Sequence, residues 1–60
     1  MEEFEHYLIG KKIDPKKFEL NEPIRYQEFR DIFEQVHPDS FTAQKLFLIN
    51  QIRRRYPIGD

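Results

Sequence analysis

The chain has no cysteine and no tryptophan, two glycines, and a single serine among its 60 residues. Each scarcity closes off chemistry. Without cysteine there is no disulfide, no thiolate zinc site and no thiol nucleophile. Glycines at positions 10 and 59 alone cannot build a Gly-rich loop that cradles phosphate. Ser40 follows Pro38-Asp39 just where a helix must begin, a position that spends its hydroxyl on capping rather than on nucleophilic attack. Long apolar runs are missing as well. The longest, Leu46 to Ile49, has four residues, against the roughly 20 that a membrane-crossing helix requires.

An excess of charge of one sign is also absent. Ten Lys and Arg stand against eleven Asp and Glu, a formal net charge of −1, so the field of the whole molecule neither draws in nucleic acid nor marks a disordered polyelectrolyte. The charge is unevenly spread. Residues 1–36 carry nine acids and six bases, residues 37–60 two acids and four bases, and this asymmetry is expected to help the two parts dock. His6 and His37 sit on separate segments without the spacing that builds a metal site. No catalytic residue, cofactor or small-molecule substrate is expected, because so short a bundle is not expected to enclose the roughly 300 Å³ that a substrate pocket occupies. The acidic opening MEEFEHYLIG has no basic region leading into an apolar run, so it does not read as a secretory signal and a cytoplasmic protein is expected.

What the sequence does have is aromatic rings. Six Phe and three Tyr suit a chain near the lower size limit for folding without disulfides or metal, since each large ring buries roughly 150–250 Å². The pattern predicts an all-α fold, one domain over residues 1–60, as a bundle of three helices with a possible short fourth near Pro15. A first helix is predicted from Glu2 to Lys11, with Phe4, Tyr7 and Leu8 on one face and Gly10 as a stop signal. Asp14-Pro15 is a helix-start pair. Asn21-Glu22-Pro23 is a second, with Asn21 as the expected cap, followed by Tyr26, Phe29, Ile32, Phe33 and Val36 at helical spacing. The outer face of that helix places Gln27 with Asp31 and Arg30 with Glu34 at i, i+4. Pro38 is expected to end it, and Asp39 or Ser40 to cap the last helix after a tight connection of about four residues.

The last helix, Phe41 to Tyr56, sets Phe41, Leu48, Ile49, Ile52 and Tyr56 on a core face, with Leu46 at its edge. The expected core is Phe4, Leu8, Ile13, Phe18, Phe29, Ile32, Phe33, Val36, Leu46, Ile49, Ile52 and Tyr56, and Ile58 in the extended tail is expected to tuck onto it. Phe47 points almost the opposite way. Either the N-terminal segment covers it or it is an exposed aromatic anchor ringed by Ala43, Asn50, Gln51 and Arg54. The second alternative makes the chain a non-catalytic protein-binding or self-associating module, which is the expected function. A competing class is a helix-turn-helix-like nucleic-acid binder whose last helix presents Gln44, Lys45, Gln51, Arg54 and Arg55. Arg53, Arg54 and Arg55 equally well serve the helix terminus, where cations offset the partial negative charge of unpaired carbonyls.

His37-Pro38-Asp39, between two helices, is similar to the His-Pro-Asp signature of J-domains. Those co-chaperones use that loop and a basic preceding helix to stimulate the ATPase of a heat-shock chaperone. The resemblance covers the tripeptide closely and about twenty residues loosely, the run Leu46 to Gln51 among them. The preceding helix here carries Glu28, Asp31 and Glu34 where a basic face would lie, and the connection is shorter. The tripeptide also works as a helix stop and start for local reasons, so no family is assigned.

Overall fold

Four helix starts, three of them marked by proline, divide the chain. The computed structural model describes residues 2–59 and forms α1 Glu3–Gly10, α2 Pro15–Asn21, α3 Pro23–Gln35 and α4 Pro38–Arg55, with no strand among the described residues. It is an all-α fold in which the short turn expected near Pro15 is a helix in its own right.

Each start has a local cause. In α1 the Glu2 amide donates to the Glu5 carboxylate at 3.3 Å, half of a capping box. In α2 the Asp14 carboxylate accepts from the amides of Lys16 and Lys17, at 3.0 and 3.2 Å, as the sequence predicts. The other two starts differ from expectation. Asn21 ends α2 rather than capping α3, its side-chain amide donating to the Lys17 carbonyl at 2.8 Å. Glu22 occupies the cap position of α3 with no side-chain hydrogen bond to the helix's first amides. The reason is that Pro23, lacking an N–H and fixed in φ, opens a helix directly and leaves one fewer donor to satisfy.

The same effect corrects the start of α4. Pro38 is its first residue, and His37 is its cap, with Nδ1 accepting from the Asp39 amide at 3.1 Å. Asp39 and Ser40 lie inside the helix, so Pro38 opens α4 instead of merely closing α3. Only Val36 and His37, both extended, connect the two helices.

Two rings organise the core. Phe41, fully buried on α4, meets Phe4 and Tyr7 of α1 and Phe29 and Phe33 of α3, with centroids 5.4–6.3 Å apart and all four edge-on. Phe18 of α2 meets Tyr26 and Phe29 edge-on and stacks against Tyr56 at 6.0 Å. Both arrangements suit the ring quadrupole. Leu8, Ile13, Ile49 and Ile52 fill in between, while Ile32, Val36 and Tyr56 are only partly buried.

Phe41 is buried as its place on the core face of the last helix predicts, Tyr26 is a core ring that the expected core omitted, and one expected residue does not belong there. Leu46 is 54% exposed. It lies about a quarter turn from the centre of the buried face, and no element covers that flank. Ile58 is likewise exposed. The tail instead closes through its backbone: Asp14 N donates to Tyr56 O at 2.8 Å, Ile58 N donates to Lys12 O at 3.3 Å, and Ile13 bridges Pro57. The acidic and basic parts meet at Glu22. Its carboxylate accepts from the Tyr56 hydroxyl at 2.6 Å and pairs with Arg55 at 3.5 Å and Arg25 at 3.4 Å.

Candidate functional site

α4 is the longest helix, and its sequence assigns one side to the core and the other to solvent. On the buried side Phe41, Ile49 and Ile52 enter the core. Thr42 anchors one flank: its hydroxyl donates to the Pro38 carbonyl at 3.0 Å, which leaves it to accept from the Tyr7 hydroxyl of α1. Lys45 anchors the other, its ammonium 5.6 Å from the Phe29 ring centroid.

Between these flanks the outer face is bare. Phe47 is 73% exposed, so neither α1 nor the tail covers it. Ala43, Gln44, Gln51 and Arg54 are exposed around it and Asn50 is half-buried. All five residues of the protein-binding set therefore lie on one helix face, with Leu46 alongside.

The nucleic-acid set is divided. Gln44, Gln51 and Arg54 are open to solvent, but Lys45 is half-buried over Phe29 and Arg55 is paired with Glu22. Two of the three cations are thus engaged within the fold, and the neighbouring outer face of α3 carries exposed Glu28, Asp31 and Glu34. The Gln27–Asp31 and Arg30–Glu34 contacts expected there form at 2.9 and 3.4 Å.

Two further surfaces escaped the sequence reading. Leu20 and Ile24 are 81% and 75% exposed, one on each side of the Glu22 corner. Each stands two residues from a buried ring, Phe18 and Tyr26, and two residues turn a helix by about 200°. That phase was available in the sequence. A groove of about 360 Å³ also opens where α1 begins and α3 gives way to α4, floored by Phe4, Phe33, Val36 and Pro38 and rimmed by Glu2, Glu3 and Glu34. It is a half-open surface cleft, not an enclosed cavity. Arg30 already sits between two of the rim carboxylates, its Nε 3.1 Å from Glu2 and 3.4 Å from Glu34.

Three tyrosines titrate high. Burial pushes the Tyr7 phenol up against the opposing bond to Thr42, and its hydrogen bond to Glu22 raises Tyr56. Burial, reinforced by Glu19, Glu5 and Glu2, pushes Tyr26 up to about 12. Among the described residues no His, Asp and Glu side chains gather in a set able to hold a metal ion, and no helix is long and apolar enough to cross a membrane. Comparison of the chain with protein-family models, with curated proteins and with solved structures found no match.

Proposed function

We propose that the chain is a non-catalytic protein-binding module and that the outer face of α4 takes the partner, with Phe47 as the anchor. The supporting observation is the exposure of Phe47 at the middle of the longest helix. Covering that ring contributes roughly 1.5–3 kcal/mol, and aromatic and Arg side chains are the residue types in which interface hot spots are enriched. Gln44, Asn50, Gln51 and Arg54 supply the polar rim that such an anchor needs to fix orientation. A cytoplasmic setting belongs to the same proposal.

The test is affinity capture of the tagged chain from its native cells, with and without nuclease, using wild type, Phe47→Asp and Arg54→Glu. The expected result is a protein partner that survives nuclease and is lost with Phe47→Asp, whose far-UV circular dichroism stays that of wild type. Recovery that depends on nucleic acid and on Arg54, and not on Phe47, would replace this reading with the nucleic-acid one. Fractionation of the same cells locates the chain.

A further inference from the structure

Resting on the reading of α4 as a docking face, we infer that its partner is a second copy of this chain. The two copies pair α4 against α4 in antiparallel order, about a two-fold axis passing between Leu46 and Phe47. α4 spans Pro38–Arg55, so Leu46 and Phe47 are its two central residues. They are also its two exposed large apolar residues. The ends carry opposite charge, with Asp39 in the first turn and Arg53 and Arg54 in the last.

Laying the helix end to end against a reversed copy sets Leu46 across from Phe47 of the second copy, Ala43 across from its Asn50, and Asp39 across from its Arg54. The two-fold makes each pair occur twice. Asp39, Ala43, Leu46, Asn50 and Arg54 lie within about 80° of one another around the helix, on one side of the exposed face. In antiparallel pairing that side meets its own counterpart. Small Ala43 lets the helices approach, the apolar pair fills the centre, and the charges close the ends.

The charges are unspent in the single copy. Asp39 has a 97% exposed side chain and approaches only His37, at 3.8 Å. Among the described residues Arg53 and Arg54 form no ion pair, whereas Arg55 is held by Glu22. A parallel pairing would set Asp39 on Asp39 and Arg54 on Arg54, and would align the helix dipoles unfavourably. One helix face about 27 Å long covers less than the roughly 1,200–2,000 Å² of stable complexes, so the pair is weak and exchanges readily.

Sedimentation equilibrium of the whole chain from about 10 µM to about 1 mM spans the range in which contacts of this size dissociate. The wild-type mass is expected to rise toward twice that of one chain, and Phe47→Asp to stay at the single mass with unchanged helicity. The deciding arm is a charge swap. Asp39→Lys alone and Arg53→Glu/Arg54→Glu alone each lose the pairing. An equimolar mixture regains it, because the mixed pair sets the lysine of one variant against the glutamates of the other and leaves native Arg54 facing native Asp39. Leu20→Ser/Ile24→Ser retains it. A wild type of single mass throughout, a mixture of folded variants that stays monomeric, or a dimer lost only with Leu20→Ser/Ile24→Ser overturns the inference. A single-mass wild type that still captures a different protein through Phe47 overturns self-pairing while leaving the docking face in place. Loss of both removes both.

Discussion

Tyr26 is where one residue's surroundings set a measurable property of the whole chain. Its ring lies edge-on to Phe4 and Phe18, and burial among the carboxylates of Glu19, Glu5 and Glu2 raises its phenol from 10 to about 12. The folded state therefore holds this proton more tightly than the unfolded chain does. The stability it contributes is complete below about pH 10 and is lost as pH climbs through about 12. Discounted for solvent screening at the phenol hydroxyl, the rise contributes about 1–2 kcal/mol. Urea unfolding is expected to show a loss of that size between about pH 9.5 and 12, and Tyr26→Phe to remove most of it. Tyr7 and Tyr56 act in the same direction and leave a remainder. An unchanged alkaline profile in Tyr26→Phe would place the cause elsewhere. At this scale legibility follows phase. Phe47 is legible because it stands two residues from Ile49, on the opposite side of the helix. Leu20 and Ile24 obey the same rule, but they flank Asn21-Glu22-Pro23, where α2 ends, α3 begins and the helical phase breaks.

At the scale of elements, prolines and caps carried most of the information, and the errors were errors of which side of a proline the helix lies on. Asp14-Pro15 was legible because Asp14 has two amides to bind and does so. His37-Pro38 was not, because histidine is an infrequent cap and the neighbouring Asp39 and Ser40 are better ones by type. The end of α1 shows a comparable displacement. Gly10 stands inside the helix with open space around it, while the left-handed position two residues later, φ 68°, is held by Lys12. Moving the glycine suits both sites. Gly10→Ala removes flexibility from the unfolded chain and Lys12→Gly removes backbone strain, each contributing about 0.5–1 kcal/mol. The double variant is expected to melt roughly 4–16 °C higher, and a lower melting temperature would show that the Lys12 side chain matters more than the backbone it sits on. The Glu22 corner gives the opposite sign. Glu22→Ala removes the acceptor for Tyr56 and the partner of Arg55 and Arg25, and is expected to destabilise by about 1.5–3 kcal/mol. In a double-mutant cycle with Tyr56→Phe the two losses should not add, since both delete one hydrogen bond.

For the whole molecule the decisive quantity is how little stability 60 residues provide, about 3–9 kcal/mol at ordinary values per residue. The all-α class and the packing of α3 on α4 were readable because aromatic residues recur at helical spacing on both. The closure of the tail onto the α1–α2 connection was not, since it runs through the backbone of Asp14, Tyr56, Lys12 and Ile58 and leaves no side-chain pattern. What the structure adds is that the aromatic core is built on hubs rather than spread evenly. Phe41 touches rings on α1 and α3 from its place on α4, so it is common to three helices. Truncation of a buried Phe to Ala costs about 3–5 kcal/mol, which is comparable with the total. Phe41→Ala is therefore expected to lower the melting temperature by roughly 15–30 °C, with near- and far-ultraviolet circular dichroism changing together because no helix keeps a core of its own. Phe47→Asp, six residues further along the same helix and of the same starting type, is expected to stay within about 1 kcal/mol of wild type, because no buried contact is lost. The contrast between the two is the measurement. Equal destabilisation would mean that the outer face of α4 is packed, and a Phe41→Ala variant that melts like wild type would mean that the three helices do not depend on one ring.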